Sequence, residues 1–421
     1  MLPKTNRRLI SNFISLTIVQ GTNFLLPLIV MPFVIGRVGA AGFGVISVAH
    51  VVMIYLSTIA DYGFNLTAAR DLAIHKTDRL KISKIFSTVL FSKILITAFS
   101  FLLLLLLVSV VPIFKANFPV YIFGFVYVIG QSLLVSWFFQ GLERMHYITI
   151  ITLLSRLIFV VLVFLFIRQR EDSFLFLFFL GLGNIIAGLV SILLAIRIFR
   201  LQLIRPGWNE LADEFRNGWQ IMLSNLSINT YLYTNVFILR LFTNDLVVGY
   251  YSIAEKIFFA FRQILGIFSQ AIYPRVCQMA MVSKEQIGSF FSSFFLPFLW
   301  VVIALSLGIF IFSPQIVELF LSEKPELPVL LLQILSLVPV IVCLNIPAFQ
   351  LLLAFNQKRS YSLVLGLGTI VNIVTNLVLC KLLGAVGTVI SIIITELFIT
   401  VGLNLQLNKN KLRYLIRRRT I

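Results

Sequence analysis

The sequence predicts an all-α polytopic membrane protein, and three observations carry that reading. Of 421 residues, 59% are apolar and only 12% are charged, whereas a soluble domain carries charge on roughly a quarter of its positions. A soluble fold of this length could not cover its surface with so few charges, and the same composition excludes a disordered chain. The apolar residues fall in runs long enough to cross a bilayer, and the short intervals between them hold most of the Lys and Arg.

Twelve transmembrane helices are expected; at about 22 residues each they take about 264 positions, close to the supply of apolar residues. The first, 9–35, follows Lys4, Arg7 and Arg8 and runs on with no small-residue cleavage pattern, so it reads as a retained helix and not a cleaved signal. The second, 44–69, follows the short interval 36–43, which holds Arg37. Spans 85–111, 119–140, 149–167 and 174–196 complete the first half, set apart by the basic run Arg70 to Lys84, by Lys115, by Arg144, and by Arg168 with Arg170. Spans 218–241 and 246–274 follow a basic segment holding Arg197, Arg200, Arg205 and Arg216. Spans 290–312, 327–355, 361–382 and 386–407 follow, the last two nearly joined through Gly384. This gives an N-terminal lobe at 1–200, a cytoplasmic linker at 201–217, a C-terminal lobe at 218–408 and a basic tail at 409–421.

The formal charge of +18, with 34 Lys and Arg against 16 Asp and Glu, would suggest nucleic acid on a soluble protein. Here no nucleic acid is expected, because the basic residues sort by side: with the N-terminus cytoplasmic they favour the inner segments by about three to one, which puts both termini in the cytoplasm. The tail Lys409 to Arg419 can also hold anionic lipid head groups. Cys277, Cys343 and Cys380 have no metal-site spacing and read as small apolar packers.

The halves look related. Gly44-Val-Ile-Ser47-Val-Ala49 is echoed by Gly249-Tyr-Tyr-Ser252-Ile-Ala254, and Phe139, Arg144 and Tyr147 by Phe355, Arg359 and Tyr361. Six spans per half leaves both halves in the same orientation, which predicts two six-helix lobes related by a parallel pseudo-two-fold axis along the membrane normal, with a central cavity between them.

Ionisable groups inside a span are costly and face a cavity or a partner. Asp61, Lys93, Arg156, Glu255, Lys256, Arg262 and Glu396 lie inside spans, with Arg240 at an outer end, and basic groups outnumber acidic ones. Lys93 and Arg156 sit about 12 Å from their inner helix ends, a long reach for snorkelling. On the eighth span Ser252, Glu255, Lys256, Arg262, Gln263, Gly266 and Gln270 form one polar stripe. The seventh carries Gln220, Ser224, Ser227, Tyr231 and Asn235 on one face, with Asn225 and Asn229 off it. Gln20 and Asn23 lie on the first span near Pro27, and Gln350 and Asn345 on the tenth near Pro347. Any single amide can be an interhelical hydrogen bond; the set is most simply a hydrated cleft. Asp61, Glu255 or Glu396 could couple H⁺ or Na⁺, or pair with Lys256 or Arg262. Gly181-x-Gly183 reads as a helix-packing site.

No catalytic signature is present. The chain lacks a G-x-x-x-x-G-K-[ST] phosphate loop and an H-E-x-x-H zinc site, and its outer loops are too short for the extracytoplasmic domains that a membrane glycosyltransferase or polymerase needs. A transporter and not an enzyme is expected, with no cofactor. A cleft with more cations than anions suits an anionic amphiphile such as a lipid-linked oligosaccharide diphosphate.

The stretch Val19-Gln-Gly-Thr-Asn-Phe-Leu-Leu-Pro27, then Gly39 to Gly44, Asp61-Tyr-Gly-Phe-Asn-Leu-Thr-Ala-Ala-Arg70-Asp71, Phe139-Gln-Gly-Leu-Glu-Arg144 and Ser155-Arg156 resembles the bacterial O-antigen and polysaccharide repeat-unit flippases. Tyr231 to Glu255 and Tyr273-Pro-Arg275 resemble them more loosely. These flippases share a superfamily with the multidrug-and-toxin-extrusion antiporters and the lipid II flippases. The resemblance implies a multi-pass bacterial inner-membrane transporter working by alternating access through a cationic cavity. Its substrate would be an undecaprenyl-diphosphate-linked oligosaccharide moved from the cytoplasmic to the periplasmic leaflet, for O-antigen in lipopolysaccharide biosynthesis or another polysaccharide. Membrane lipids, a polysaccharide polymerase and chain-length machinery would be its partners. Arg156, Lys93, Lys256 and Arg262 are then expected to contact substrate, with Asn225, Asn229, Gln20 and Asn23 beside them and Asp61, Glu255 and Glu396 as coupling or pairing groups. The alternative is a drug or cation antiporter of the same fold, which would want an acidic cavity and an aromatic cage; a major-facilitator transporter would show a signature after its second span that Arg70 to Lys84 lacks.

Overall fold

The computed structural model describes residues 4–282, 286–321, 325–410 and 412, with side chains described at 21, 22 and 26 and, from 28 onward, for all of these except 282. Among the described residues the fold is helical throughout, with no strand. It divides into two compact units, Met1–Tyr233 and Thr234–Ile421.

The first unit begins with α1 (Lys4–Asp61), 58 residues long and broken at Gly39. Gly39 has φ 76° and ψ 168°, a conformation that L side chains rarely adopt, so a glycine here ends one rod and starts the next. The rest of the unit comprises α2 (Phe64–Ile74), α3 (Arg79–Val110), α4 (Pro112–Ala116), α5 (Phe118–Leu133), α6 (Ser136–Gly141), α7 (Met145–Phe166), α8 (Ser173–Phe199) and the part of α9 (Trp208–Phe242) up to Tyr233. The second unit holds the end of α9, then α10 (Asp245–Val282), α11 (Gln286–Phe290), a π-helical turn Phe291–Phe295, α12 (Leu296–Ile311), α13 (Ser313–Glu318), α14 (Glu326–Leu335), α15 (Val338–Ala354), α16 (Lys358–Leu383) and α17 (Ala385–Lys409). Proline opens α4, α5, α12, α13 and α15 within their first two positions, where its missing N–H costs nothing. The Asp78 carboxylate accepts from the Lys81 N–H, 3.1 Å, to cap α3. Gly384, at φ 58° and ψ −133°, separates α16 from α17.

Nine helical segments among the described residues are long and apolar enough to cross a membrane, the first of them 28–74. Their packing shows which solvent they are built for. On α3 the buried face carries Ser83, Ser87, Ser92, Lys93, Thr97 and Ser100, while Phe91, Ile94, Phe99, Leu102 and Leu106 are exposed. On α16 and α17 the buried set includes Asn372, Asn376, Thr388, Ser391 and Thr395, and the exposed set Leu367, Ile370, Val374, Leu397 and Val401. Water would drive these faces the other way round. Helices that turn apolar side chains outward and pair polar ones inside are solvated by hydrocarbon.

An apolar cluster closes one end of the first unit. Phe64, Phe86, Trp137, Phe138 and Phe139 are fully buried, and Phe138 meets Phe199 edge-on at 5.1 Å. The segment between α8 and α9 is pinned to α3 here: the Gln202 N–H donates to Ser83 Oγ (3.2 Å) and the Ile204 N–H to Ser87 Oγ (3.0 Å). Gly181 and Gly183 let α8 approach α5 and α7 so closely that a Cβ would strike the backbone of Val126–Tyr127 and of Ser155. Both residues are packing positions, as the sequence suggested.

Candidate functional site: a polar cleft in the first unit

α1 breaks at Tyr62 and Gly63, both with positive φ, and the side chains leading into the break open a cleft of about 250 Å³. Ser57, Thr58 and Asp61 of α1 line one wall and Asn65 of α2 continues it. Gln131 and Ser132 of α5 form a second wall; Asn225, Ile228 and Asn229 of α9 form the third. Eight of these nine side chains can hydrogen-bond. The break at Tyr62–Gly63 lies between two of these lining residues, Asp61 of α1 and Asn65 of α2.

The walls are tied by side-chain hydrogen bonds. Asn229 Nδ2 donates to Thr58 Oγ1 (2.6 Å), and the Tyr55 hydroxyl donates to Thr230 Oγ1 (3.3 Å). The Thr97 and Ser132 hydroxyls bond to each other at 2.7 Å, and Thr97 Oγ1 also donates to the Lys93 carbonyl. Lys93 Nζ lies 2.8 Å from Asp61 Oδ1; the lysine side chain is 2% exposed and the aspartate 20%. The ammonium is thus sealed behind a carboxylate that itself faces the cleft. Burial would be prohibitive for that ammonium alone and is tolerable because the pair is formed.

Arg156, on α7, is half-buried. Its charge acts on the Tyr127 phenol of α5, which is hydrogen-bonded to Gln131 and carries the His50 ring edge-on at 5.3 Å. Tyr127 and Gln131 therefore connect Arg156 to the cleft wall. The neighbouring Ser155 hydroxyl donates to Asn184 Oδ1, 2.5 Å, and fixes α7 against α8.

The second unit has a polar interior of its own. Glu255 is 2% exposed and accepts from the Tyr251 hydroxyl at 3.0 Å, with the Lys256 charge near it. Arg262 Nη2 lies 3.3 Å from Glu396 Oε1. Asn376 Nδ2 donates to Asn235 Oδ1 (2.8 Å), Asn372 Nδ2 to Thr395 Oγ1 (3.2 Å) and Gln350 Nε2 to Ser269 Oγ (2.7 Å).

The structure brings Asp61, Lys93, Asn225 and Asn229 to the first-unit cleft, connects Arg156 to it through Tyr127, and puts Glu255, Lys256, Arg262 and Glu396 in the second unit. The side chains of Gln20 and Asn23 lie outside the described residues. Lys93 and Arg262, expected to contact substrate, each lie beside a carboxylate; neutralisation by a partner was an alternative the sequence left open for both, without naming Asp61 as the partner of Lys93. Sequence reasoning passed over Ser57, Thr58, Asn65, Tyr127, Gln131 and Ser132. The signal available was short polar pairs, Ser57-Thr58 and Gln131-Ser132, near the ends of the otherwise apolar helices α1 and α5.

Comparison with known proteins agrees with this architecture. Residues 9–280 match the family described as "Polysaccharide biosynthesis protein". A protein of Escherichia coli (strain K12) named "Putative O-antigen transporter" is 26% identical over 95% of this chain and 97% of its own length. One of the same name from Shigella dysenteriae is 27% identical over 92% and 97%. Two solved structures share the fold at low identity. The lipid II flippase MurJ in an inward closed conformation has a TM-score of 0.68 at 12% identity, covering 97% of this chain and 90% of that one. An inward-facing multidrug resistance MATE transporter has a TM-score of 0.65 at 14% identity, covering 96% and 98%. With nearly two-thirds of its length matched, and with helices that turn their polar faces inward, this chain belongs to the polysaccharide biosynthesis protein family.

Proposed function

We propose that the chain is a flippase that moves an undecaprenyl-diphosphate-linked oligosaccharide, an O-antigen or other polysaccharide repeat unit, from the cytoplasmic to the periplasmic leaflet of the bacterial inner membrane. The observation that carries this reading is a cleft walled by hydrogen-bonding side chains inside a bundle whose outer faces suit lipid, in a chain of this family. A glycan head cannot cross hydrocarbon unaided. Each unpaired hydroxyl costs several kcal/mol, so a head with a dozen faces a barrier of tens, and a polar cleft replaces the lost water bonds. Moving the diphosphate outward against a negative interior gains about 2.3 kcal/mol per charge per 100 mV.

In this reading the chain crosses the membrane twelve times in two six-helix lobes, 1–200 and 218–408, joined by the cytoplasmic linker 201–217, with both termini cytoplasmic. The nine apolar segments support that count if 28–74 is taken as two rods broken at Gly39 and the long, polar-striped α9 and α10 are added. Transport proceeds by alternating access and the chain is not itself an enzyme. Arg156 and Lys256 meet the diphosphate, Asn225 and Asn229 meet the glycan, and Gln20 and Asn23 extend the path. Lys93 and Arg262 act with their partners Asp61 and Glu396, and Glu255 is the candidate for H⁺ or Na⁺ coupling. A polysaccharide polymerase and chain-length machinery receive the product.

Deleting the gene tests this. The expected result is loss of surface polysaccharide together with accumulation of cytoplasm-facing lipid-linked intermediates; normal polymer with no accumulation rejects it.

A further inference from the structure

We propose that the first-unit cleft is a sugar-binding subsite, which recognises the hydroxyls of a hexose and leaves the diphosphate to be met elsewhere. This rests on the flippase reading and names what one part of the substrate contacts.

Charge excludes the phosphate. Asp61 is the one ionisable side chain among those lining the cleft, and the ammonium that neutralises it is 2% exposed behind it. A phosphate entering here would meet a carboxylate and find no cation among the lining side chains. Polarity excludes a lipid tail or a hydrophobic drug, because Ile228 is the single apolar side chain in the lining.

What remains is a neutral ligand dense in groups that both donate and accept. Asn65 and Asn225 each offer a planar amide with two N–H donors and a carbonyl acceptor, a match for adjacent ring hydroxyls, and Gln131 adds the part of its amide that its bond to Tyr127 leaves over. Ser57 and Thr58 already spend their hydroxyl protons on the Ile54 carbonyl, so toward the cleft they accept. Asp61, an acceptor held in place by Lys93, completes a wall rich in acceptors for O–H donors. The volume of about 250 Å³ equals that of about eight waters, the scale of one hexose ring.

The test uses the full chain in lipid nanodiscs and two probes, undecaprenyl diphosphate alone and undecaprenyl diphosphate carrying one hexose, with binding read by native mass spectrometry. The wild type should prefer the sugar-bearing lipid by about tenfold, the scale of one to two hydrogen bonds. The double variant Asn65→Leu/Asn225→Leu should reduce that preference to about twofold while its affinity for the sugar-free lipid stays within about twofold of wild type. Asn225→Gln, which keeps an amide, should retain most of the preference; thermal unfolding confirms that each variant is folded. A folded double variant with an unchanged preference overturns the subsite, as does an equal loss of both lipids, which would place the diphosphate in the cleft. A wild type that binds both lipids equally well overturns the subsite and leaves the flippase reading standing. A wild type that binds neither overturns both.

Discussion

Lys93 Nζ sits 2.8 Å from Asp61 Oδ1, and the two partners are buried to different extents: the lysine is sealed while the aspartate faces the cleft. The asymmetry dictates different consequences for removing either one. Asp61→Asn strands an ammonium with no exposed route to water and should cost about 3–5 kcal/mol. Lys93→Met strands a carboxylate that the cleft can hydrate and should cost less. The double variant removes both charges and should recover most of the loss. Thermal unfolding in detergent measures all three, and a double variant less stable than Asp61→Asn alone would show that the pair does not balance as described.

Arg156 lies outside the cleft lining and is linked to it through Tyr127 and Gln131. Arg156→Glu should abolish polymer export while membrane insertion stays normal, because it puts an anion where a diphosphate must pass; Arg156→Lys should retain part of the activity, since a point charge replaces the bidentate fork. Surface polymer and membrane protein level in complemented deletion cells report both. Full export from a well-expressed Arg156→Glu chain would remove this residue from the path.

Glu214 lies on α9 ahead of the expected span 218–241. Burial, reinforced by the Asp71 and Asp213 carboxylates, pushes its carboxyl up to about 7. A raised acid pKa means the folded state holds its proton longer than the unfolded chain does. The stability it contributes is complete below about 4.5 and is lost as pH rises toward about 7, by at most about 3 kcal/mol. Glu214→Gln should flatten that part of the stability–pH curve and raise stability at neutral pH. A curve unchanged by the substitution would contradict the assignment.

Gly181 packs α8 directly on the α5 backbone at Val126–Tyr127. Gly181→Leu has no flexible side chain to displace and should cost about 3 kcal/mol or more, beyond ordinary overpacking. Gly366, where an added Cβ meets open space, should accept alanine with little change. The two thermal midpoints, measured side by side, check the contrast.

Much of the fold was legible because hydrocarbon imposes a one-dimensional code. Apolar runs and basic intervals located the helices, and Gly384 marked the break between α16 and α17. The breaks inside spans were not legible. α5 ends at Leu133 and α6 starts at Ser136 with no proline or charge between Val120 and Gln140, and the break at Tyr62–Gly63 falls inside the expected span 44–69, beside Asp61. The site was legible in residue type and not in pairing. Which acid meets which base, as with Asp61 and Lys93 or Arg262 and Glu396, depends on helix packing between distant segments and leaves no local trace. The short polar residues of the cleft were passed over because one Ser, Thr or Gln near a helix end is ordinary; only their convergence in space gives them meaning.

The most direct measurement reconstitutes the purified chain in vesicles and follows an undecaprenyl-diphosphate-linked oligosaccharide from one leaflet to the other, using a membrane-impermeant reagent to detect the glycan. The expected result is transfer that depends on the protein and falls to background with Arg156→Glu. A rate no faster than in protein-free vesicles, from a chain shown to be folded and inserted, would contradict the flippase assignment.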